Sequence, residues 1–212
     1  MTFPALADVS HRFVLRQAGL ALDVDRQEAL ECLVPWHMAA VREMGYDEAS
    51  LRTAEQIHGS LVVRVDRNSD QIALAADGLV TNDPDVLLGI YVADCGAIFL
   101  HDARQRCVGL VHSGKKGSEL GIVREAIVAM KREFGSDAAD MVVQLSPCIR
   151  PPHYEVDFAS AIREQCLQEG VRPENYHDCG LCTAQDTARF YSYRVEKGRT
   201  GRMLALLGLR GS

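Results

Sequence analysis

Val86-Leu87-Leu88-Gly89-Ile90-Tyr91-Val92-Ala93 is a continuous apolar run that closes on Asp94-Cys95. A run of this length bounded by polar residues reads as a strand buried in its middle, with its chemistry presented where it ends. Residues 97–101 resume the apolar pattern directly after Cys95. Cys107-Val108-Gly109-Leu110-Val111 makes a third strand and delivers His112 at its end. Upstream, Gln56-Ile57-His58-Gly59 supplies a second histidine. A thiolate and two imidazoles converging at strand ends would either bind a metal ion or activate a nucleophile.

Helical periodicity alternates with these strands. Leu120, Val123, Ile127, Met130 and Phe134 recur at steps of three and four, which predicts a helix over 119–134 with Ser118 as N-cap and Gly135 as its stop. A second helix is expected over 157–169, ahead of Gly170. A third is expected over 27–45, with Ala29, Leu30, Leu33, Trp36, Met38 and Val41 on one side. Residues 61–65 and 141–145 read as further strands, and 76–81 as a short element ending in a turn at Asn82-Asp83-Pro84. No regular βαβ period appears, so a mixed α/β sandwich is expected rather than a doubly wound parallel sheet.

The chain has 212 residues with no repeat or linker, and at roughly 150 residues per domain it is expected to form a single domain over 1–212. Hydrophobic residues at 47% supply a core, and a net charge of -6 argues against nucleic-acid binding through phosphate neutralisation. No stretch approaches the roughly 20 apolar residues of a membrane span. Met1-Thr2-Phe3-Pro4-Ala5 lacks the basic start of a signal peptide, so a cytoplasmic protein is expected. Its seven cysteines are an odd number and suit a reducing compartment. Cys179-Gly180-Leu181-Cys182 is a CxxC, but neither a second CxxC nor a nearby His pair completes a structural zinc site. The sequence carries no sign of an oligomeric state.

An ordered set of motifs goes further. Gln56-Ile57-His58-Gly59, Ala76-Asp77-Gly78-Leu79-Val80-Thr81, Ala93-Asp94-Cys95 and His112-Ser113-Gly114 follow one another as in the YfiH-like proteins. The match continues through Ser146-Pro147-Cys148-Ile149, Tyr154-Glu155-Val156, Cys182-Thr183, Phe190-Tyr191-Ser192-Tyr193-Arg194 and Gly201-Arg202-Met203. The chain resembles this family, also called the multicopper polyphenol oxidase or laccase-domain family, over about residues 50–207. His11-Arg12-Phe13-Val14-Leu15-Arg16 echoes the family's opening strand and its arginine.

The resemblance implies a four-layer α/β/β/α sandwich with mixed sheets, and a metal and catalytic site of His58, Cys95 and His112. It implies zinc, with copper proposed for an oxidase activity. The activity it implies is of the purine nucleoside phosphorylase type, taking a purine nucleoside and phosphate, with adenosine deamination as a side reaction. Three other readings stay open: a Cys-His hydrolase editing peptidoglycan precursors, a copper-linked polyphenol oxidase, and a divergent binder without catalysis. Tyr193 and Arg194 would contact base or ribose by family analogy, and Arg16 the substrate or phosphate.

The chain departs from the family around its last histidine. The usual His-Ala-Gly-Trp-Arg-Gly is here His112-Ser113-Gly114-Lys115-Lys116-Gly117, and Gly96-Ala97 replaces the usual proline after Asp94-Cys95. Lys115 and Lys116, placed just before the 119–134 helix, form either an anion cradle for phosphate or a solvated turn. Asp94 is the expected partner of a neighbouring imidazole, or else a cap on its turn.

Overall fold

The computed structural model describes residues 1–20 and 22–210. In chain order the described elements begin with β1 (Ser10–Val14), α1 (Arg26–Glu43), β2 (Leu51–Ala54), β3 (Val62–Arg64), β4 (Ile72–Ala73) and β5 (Gly78–Thr81). Next come β6 (Leu87–Val92), β7 (Gly96–Asp102), β8 (Cys107–Ser113), α2 (Lys115–Glu119) and α3 (Ile122–Phe134). The last are β9 (Val142–Leu145), α4 (Phe158–Gln168), β10 (Tyr176–Asp178) and β11 (Met203–Gly208). One sheet has the order β1-β11-β6-β2-β4, the other β10-β9-β7-β8-β5-β3. Both mix parallel and antiparallel pairs.

Strand alternation builds the layers. Leu88, Ile90 and Val92 of β6 meet Phe99 of β7 and Leu110 of β8 in a core between the sheets. The opposite faces of β6 and β11, with Leu87, Leu204 and Leu206, pack against Ala40 and Val41 of α1. On the far side Ile98, Leu100 and Val111 pack against Ile122, Ile127 and Met130 of α3 and Ile162 of α4. Strands buried on both faces explain the unbroken apolar runs. Each fully buried aliphatic side chain stabilises the sandwich by about 1.5–3 kcal/mol. The expected α/β/β/α order is therefore the observed one.

Two helices differ from expectation. The helix predicted over 119–134 is two, because Gly121 adopts a left-handed φ of 74° and restarts the register at Ile122. Leu120 consequently drops out of the stripe and is 50% exposed. Ser118 sits inside α2 and bonds Ser113 through its hydroxyl instead of capping a helix. Gly135 ends α3 as expected. In α1 Trp36 is exposed, and His37 takes a buried place, its Nε2 against the Arg202 carbonyl at 3.2 Å.

The crossing from one sheet to the other positions the site. Ala93-Asp94-Cys95 carries the chain from β6 in the first sheet to β7 in the second. β2 ends near the same place, and β5 and β11 begin there. Val92 pairs with Met203, Gly78 with Val111, and Ala97 with His112.

Candidate active site

Three segments bring His58, Cys95 and His112 together. Their ligand atoms all lie within 4.8 Å of one another, and among the described residues no other group of three His, Cys, Asp or Glu does so. His112 is buried at the end of β8, Cys95 is partly exposed in the crossover, and His58 is exposed on the loop after β2. The two imidazole rings meet edge to face, 4.8 Å between centroids. Gly114 permits the approach on the other side, since a Cβ there would lie 2.4 Å from the Cys95 sulfur.

Asp77 fixes two of the three. Its side chain is fully buried and accepts hydrogen bonds from the backbone N–H groups of Ile57, His58 and Gly59 at 3.1, 2.9 and 2.7 Å. The same carboxylate lies 2.8 Å from His112 Nδ1, and the Asp77 carbonyl accepts from the His112 N–H. This bond places the proton on Nδ1 and leaves Nε2 for the thiol or a metal. Gln56 fastens the loop to β6 by bonding both the N–H and the carbonyl of Tyr91. Six described non-glycine residues have positive φ, and four of them (Gln56, His58, Asp94 and Lys197) line the cavity at the site. Backbone strain is thus concentrated where the chemistry converges.

Asp94 does not orient an imidazole, which corrects the expectation. Its oxygens accept from Thr183 Oγ1 at 2.6 Å, Ser192 Oγ at 3.1 Å and the Arg194 N–H at 2.7 Å. It anchors the 192–200 loop instead. Glu196 tightens that loop by accepting from the Ser192 N–H and the Thr200 hydroxyl. Sequence reasoning missed Asp77 in its role as anchor; the Ala76-Asp77-Gly78 motif was the only signal.

Electrostatics favour an ion pair in the metal-free site. Burial pushes the Cys95 thiol up, but the charge and hydrogen bonds of His112, with those of His58, outweigh it and hold Cys95 at about 6. Burial pulls His112 down, but the Cys95 thiolate and Asp77 raise it to about 9. Thiolate and imidazolium therefore stabilise each other.

The site opens into a cavity of about 990 Å³. Lys115, Tyr193 and Arg194 line it, with Tyr154 and Phe158 forming an aromatic wall. Arg194 pairs with Glu155 at 2.8 Å and stacks over Tyr154. Two expected binding residues are not brought into the lining. Arg16 pairs with Glu196 at 2.9 Å and lies over the Tyr191 ring, while Lys116 sits on the exposed side of α2. The lysines occupy the first turn of the short α2 and not a loop before the longer helix.

The donor set fits a metal ion. Tetrahedral zinc on two imidazoles and a thiolate spaces its ligand atoms by about 3.3–3.6 Å, within the 4.8 Å that encloses the trio. The lowered Cys95 thiol and the Asp77–His112 bond supply the deprotonated sulfur and the oriented ring that such a centre needs. Soft sulfur with imidazole suits copper as well. Among the described residues the CxxC forms no such centre: Cys182 meets Cys148 only through a backbone β-bridge, and all seven cysteines are free thiols.

Comparison with known proteins agrees with this fold. The chain is 27% identical to a purine nucleoside phosphorylase of Clostridium acetobutylicum, covering 92% of this chain and 89% of the relative. It is 29% identical to a purine nucleoside phosphorylase of Deinococcus radiodurans, covering 97% and 91%. The crystal structure of a Bacillus licheniformis hypothetical protein YfiH superposes with a TM-score of 0.85 at 20% identity, over 95% of this chain and 93% of that one. YlmD from Geobacillus stearothermophilus gives 0.84 at 24% identity, over 99% and 94%. The profile of the family described as multi-copper polyphenol oxidoreductase laccase matches residues 18–159 and 153–210. With motifs, fold and profile in agreement, this chain belongs to that family, the YfiH-like proteins.

Proposed function

We propose that the chain is a single-domain, cytoplasmic, zinc-dependent enzyme of the purine nucleoside phosphorylase type, with His58, Cys95 and His112 as its metal-binding and catalytic residues. The observation that carries this reading is the convergence of the trio, within 4.8 Å, on one wall of a cavity large enough for a nucleoside. The names of its relatives support the reaction class. No described helix is long and apolar enough to cross a membrane.

Tyr154 and Phe158, packed edge to face, and the exposed Tyr193 give the cavity aromatic lining against which a purine would pack. Lys115 and Arg194 carry positive charge toward a phosphate co-substrate. Asp77 holds His112 and the His58 loop in register, so the site is organised before substrate arrives. A zinc ion held by the trio supplies Lewis acidity. In the reaction a phosphate oxygen bonds to the ribose C1′ as the glycosidic C–N bond breaks. The base departs with the electron pair and takes up one proton, matching the one that hydrogen phosphate gives up on becoming ribose 1-phosphate.

The test is mass-spectrometric detection of products from adenosine, inosine and guanosine, with and without phosphate, for zinc-loaded protein and Cys95→Ala. Phosphate-dependent release of free base and ribose 1-phosphate, lost in the variant, is the expected result. Full activity of Cys95→Ala would sink the assignment.

The Cys95–His112–Asp77 chain favours a second reading, a Cys-His hydrolase acting on peptidoglycan precursors. Cys95 would be nucleophile, His112 base and Asp77 the residue that orients it. Turnover by metal-free protein, stopped by irreversible alkylation of Cys95, would select it.

A further inference from the structure

Arg202 differs from every other cation lining the cavity. Arg194 pairs with Glu155, Arg199 pairs with Asp23 at 2.7 Å, and Arg26 donates to the Glu55 carbonyl at 3.1 Å. Lys115 and Lys197 are exposed to solvent. Arg202 is only 8% exposed and has no carboxylate partner among the described residues. Its Nη1 donates to the carbonyls of Thr200 and Gly201 at 2.8 and 2.9 Å. Nε and Nη2 bond to no described group, and neither is sealed away from the cavity. A guanidinium is always charged, so burying it without an anion is costly.

Its position is fixed from three sides. Met203 pairs with Val92, which sets Arg202 beside Ala93, two residues before Cys95. His37 of α1 holds the Arg202 carbonyl. Gly201 packs so closely on the Tyr191 ring that a Cβ there would lie 2.5 Å from it. The Tyr193 ring covers the guanidinium at 5.9 Å. The Asp94 carboxylate accepts from Thr183, Ser192 and the Arg194 N–H; its charge and that of Cys95 reach Arg202, but neither makes a hydrogen bond or ion pair with the guanidinium.

We propose that Arg202 is the oxyanion-binding residue of the cavity, receiving two oxygens of inorganic phosphate on Nε and Nη2 beside Cys95. The paired donors match a tetrahedral oxyanion in the bidentate manner that lysine cannot reproduce. Identifying the anion as phosphate rests on the phosphorylase reading; the existence of an anion site does not. The residue thus supplies, from the start of β11, a cation that the Lys115-Lys116 segment offers only at the exposed rim.

The test titrates inorganic phosphate, and separately AMP, into zinc-loaded wild type, Arg202→Gln, Arg202→Lys and the distant Arg132→Ala by calorimetry, and measures KM for phosphate and for inosine. Losing a charge-assisted bidentate contact weakens phosphate binding about 10–100-fold in Arg202→Gln. Arg202→Lys is expected to recover part of it, and Arg132→Ala to match wild type. The KM for inosine is expected to stay within about threefold throughout. Unchanged phosphate affinity, or a rise in the inosine KM alone, would overturn the proposal. So would loss of AMP binding with phosphate binding intact, which would assign the anion to a nucleotide. If wild type turns over no nucleoside, the phosphorylase reading fails, and the phosphate titration still decides Arg202. Should the variants misfold, phenylglyoxal modification of wild type replaces them: protection of Arg202 by phosphate supports the site, and equal labelling with and without phosphate contradicts it.

Discussion

Cys95 and Cys148 are held near each other, since the Ile149 N–H donates to the Asp94 carbonyl, yet they are opposite kinds of thiol. Cys95 faces two imidazoles and a cavity, and its proton is held weakly. Cys148 is fully buried beside Cys182, and burial pushes its thiol far above the usual range. Cys107, next to Ser136 under α3, is raised to about 11 by burial. Apolar surroundings make a thiol inert, and neighbouring cations make it a ligand or nucleophile. Sequence spacing does not report that difference: the CxxC lies in the inert region, and the reactive cysteine has no cysteine near it in sequence.

The sharpest way to break this contrast is to exchange cysteines. Cys95→Ala is expected to lose stoichiometric metal and at least about a thousandfold in turnover, read by elemental analysis and initial rates. Retained metal in that variant would move the centre elsewhere. Asp77→Asn probes the support beneath the trio and is expected to lower metal affinity about 10–100-fold, read by competition with a chromophoric chelator. An unchanged affinity would make Asp77 a loop anchor only.

Protonation offers a third, smaller probe, using metal-free protein. Cys95 is depressed, so its share of stability is lost as pH falls through about 6. His112 is raised, so its share is lost as pH rises through about 9. The difference in melting temperature between wild type and His112→Ala is therefore expected to be widest between those values. In the same window iodoacetamide is expected to label Cys95 ahead of the exposed Cys32. A flat difference across that range would remove the ion pair. The smallest effect is expected at the CxxC: Cys179→Ser should leave metal content unchanged and stability within about 0.5 kcal/mol.

The same contrast explains what the sequence revealed. The strands around Cys95 were legible because burial on both faces leaves unbroken apolar runs, and the layer order followed from the family resemblance. The meeting of His58, Cys95 and His112 was legible from strand ends and ordered motifs together. What escaped depends on partners distant in the chain. Asp77 reaches His112 across 35 residues, while Asp94, next to Cys95, turns to Thr183 and Ser192. Arg16 is drawn from the cavity by Glu196, an attraction invisible before the 192–200 loop has its shape. The break at Gly121 escaped because the apolar period runs through it, and only its left-handed backbone separates α2 from α3.

The most direct test sets the two kinds of cysteine against each other: phosphate-dependent release of purine base by zinc-loaded wild type, Cys95→Ala and Cys179→Ser under identical conditions. Base release is expected from wild type and Cys179→Ser and none from Cys95→Ala. Equal release by Cys95→Ala and wild type, or its loss in Cys179→Ser alone, would contradict it.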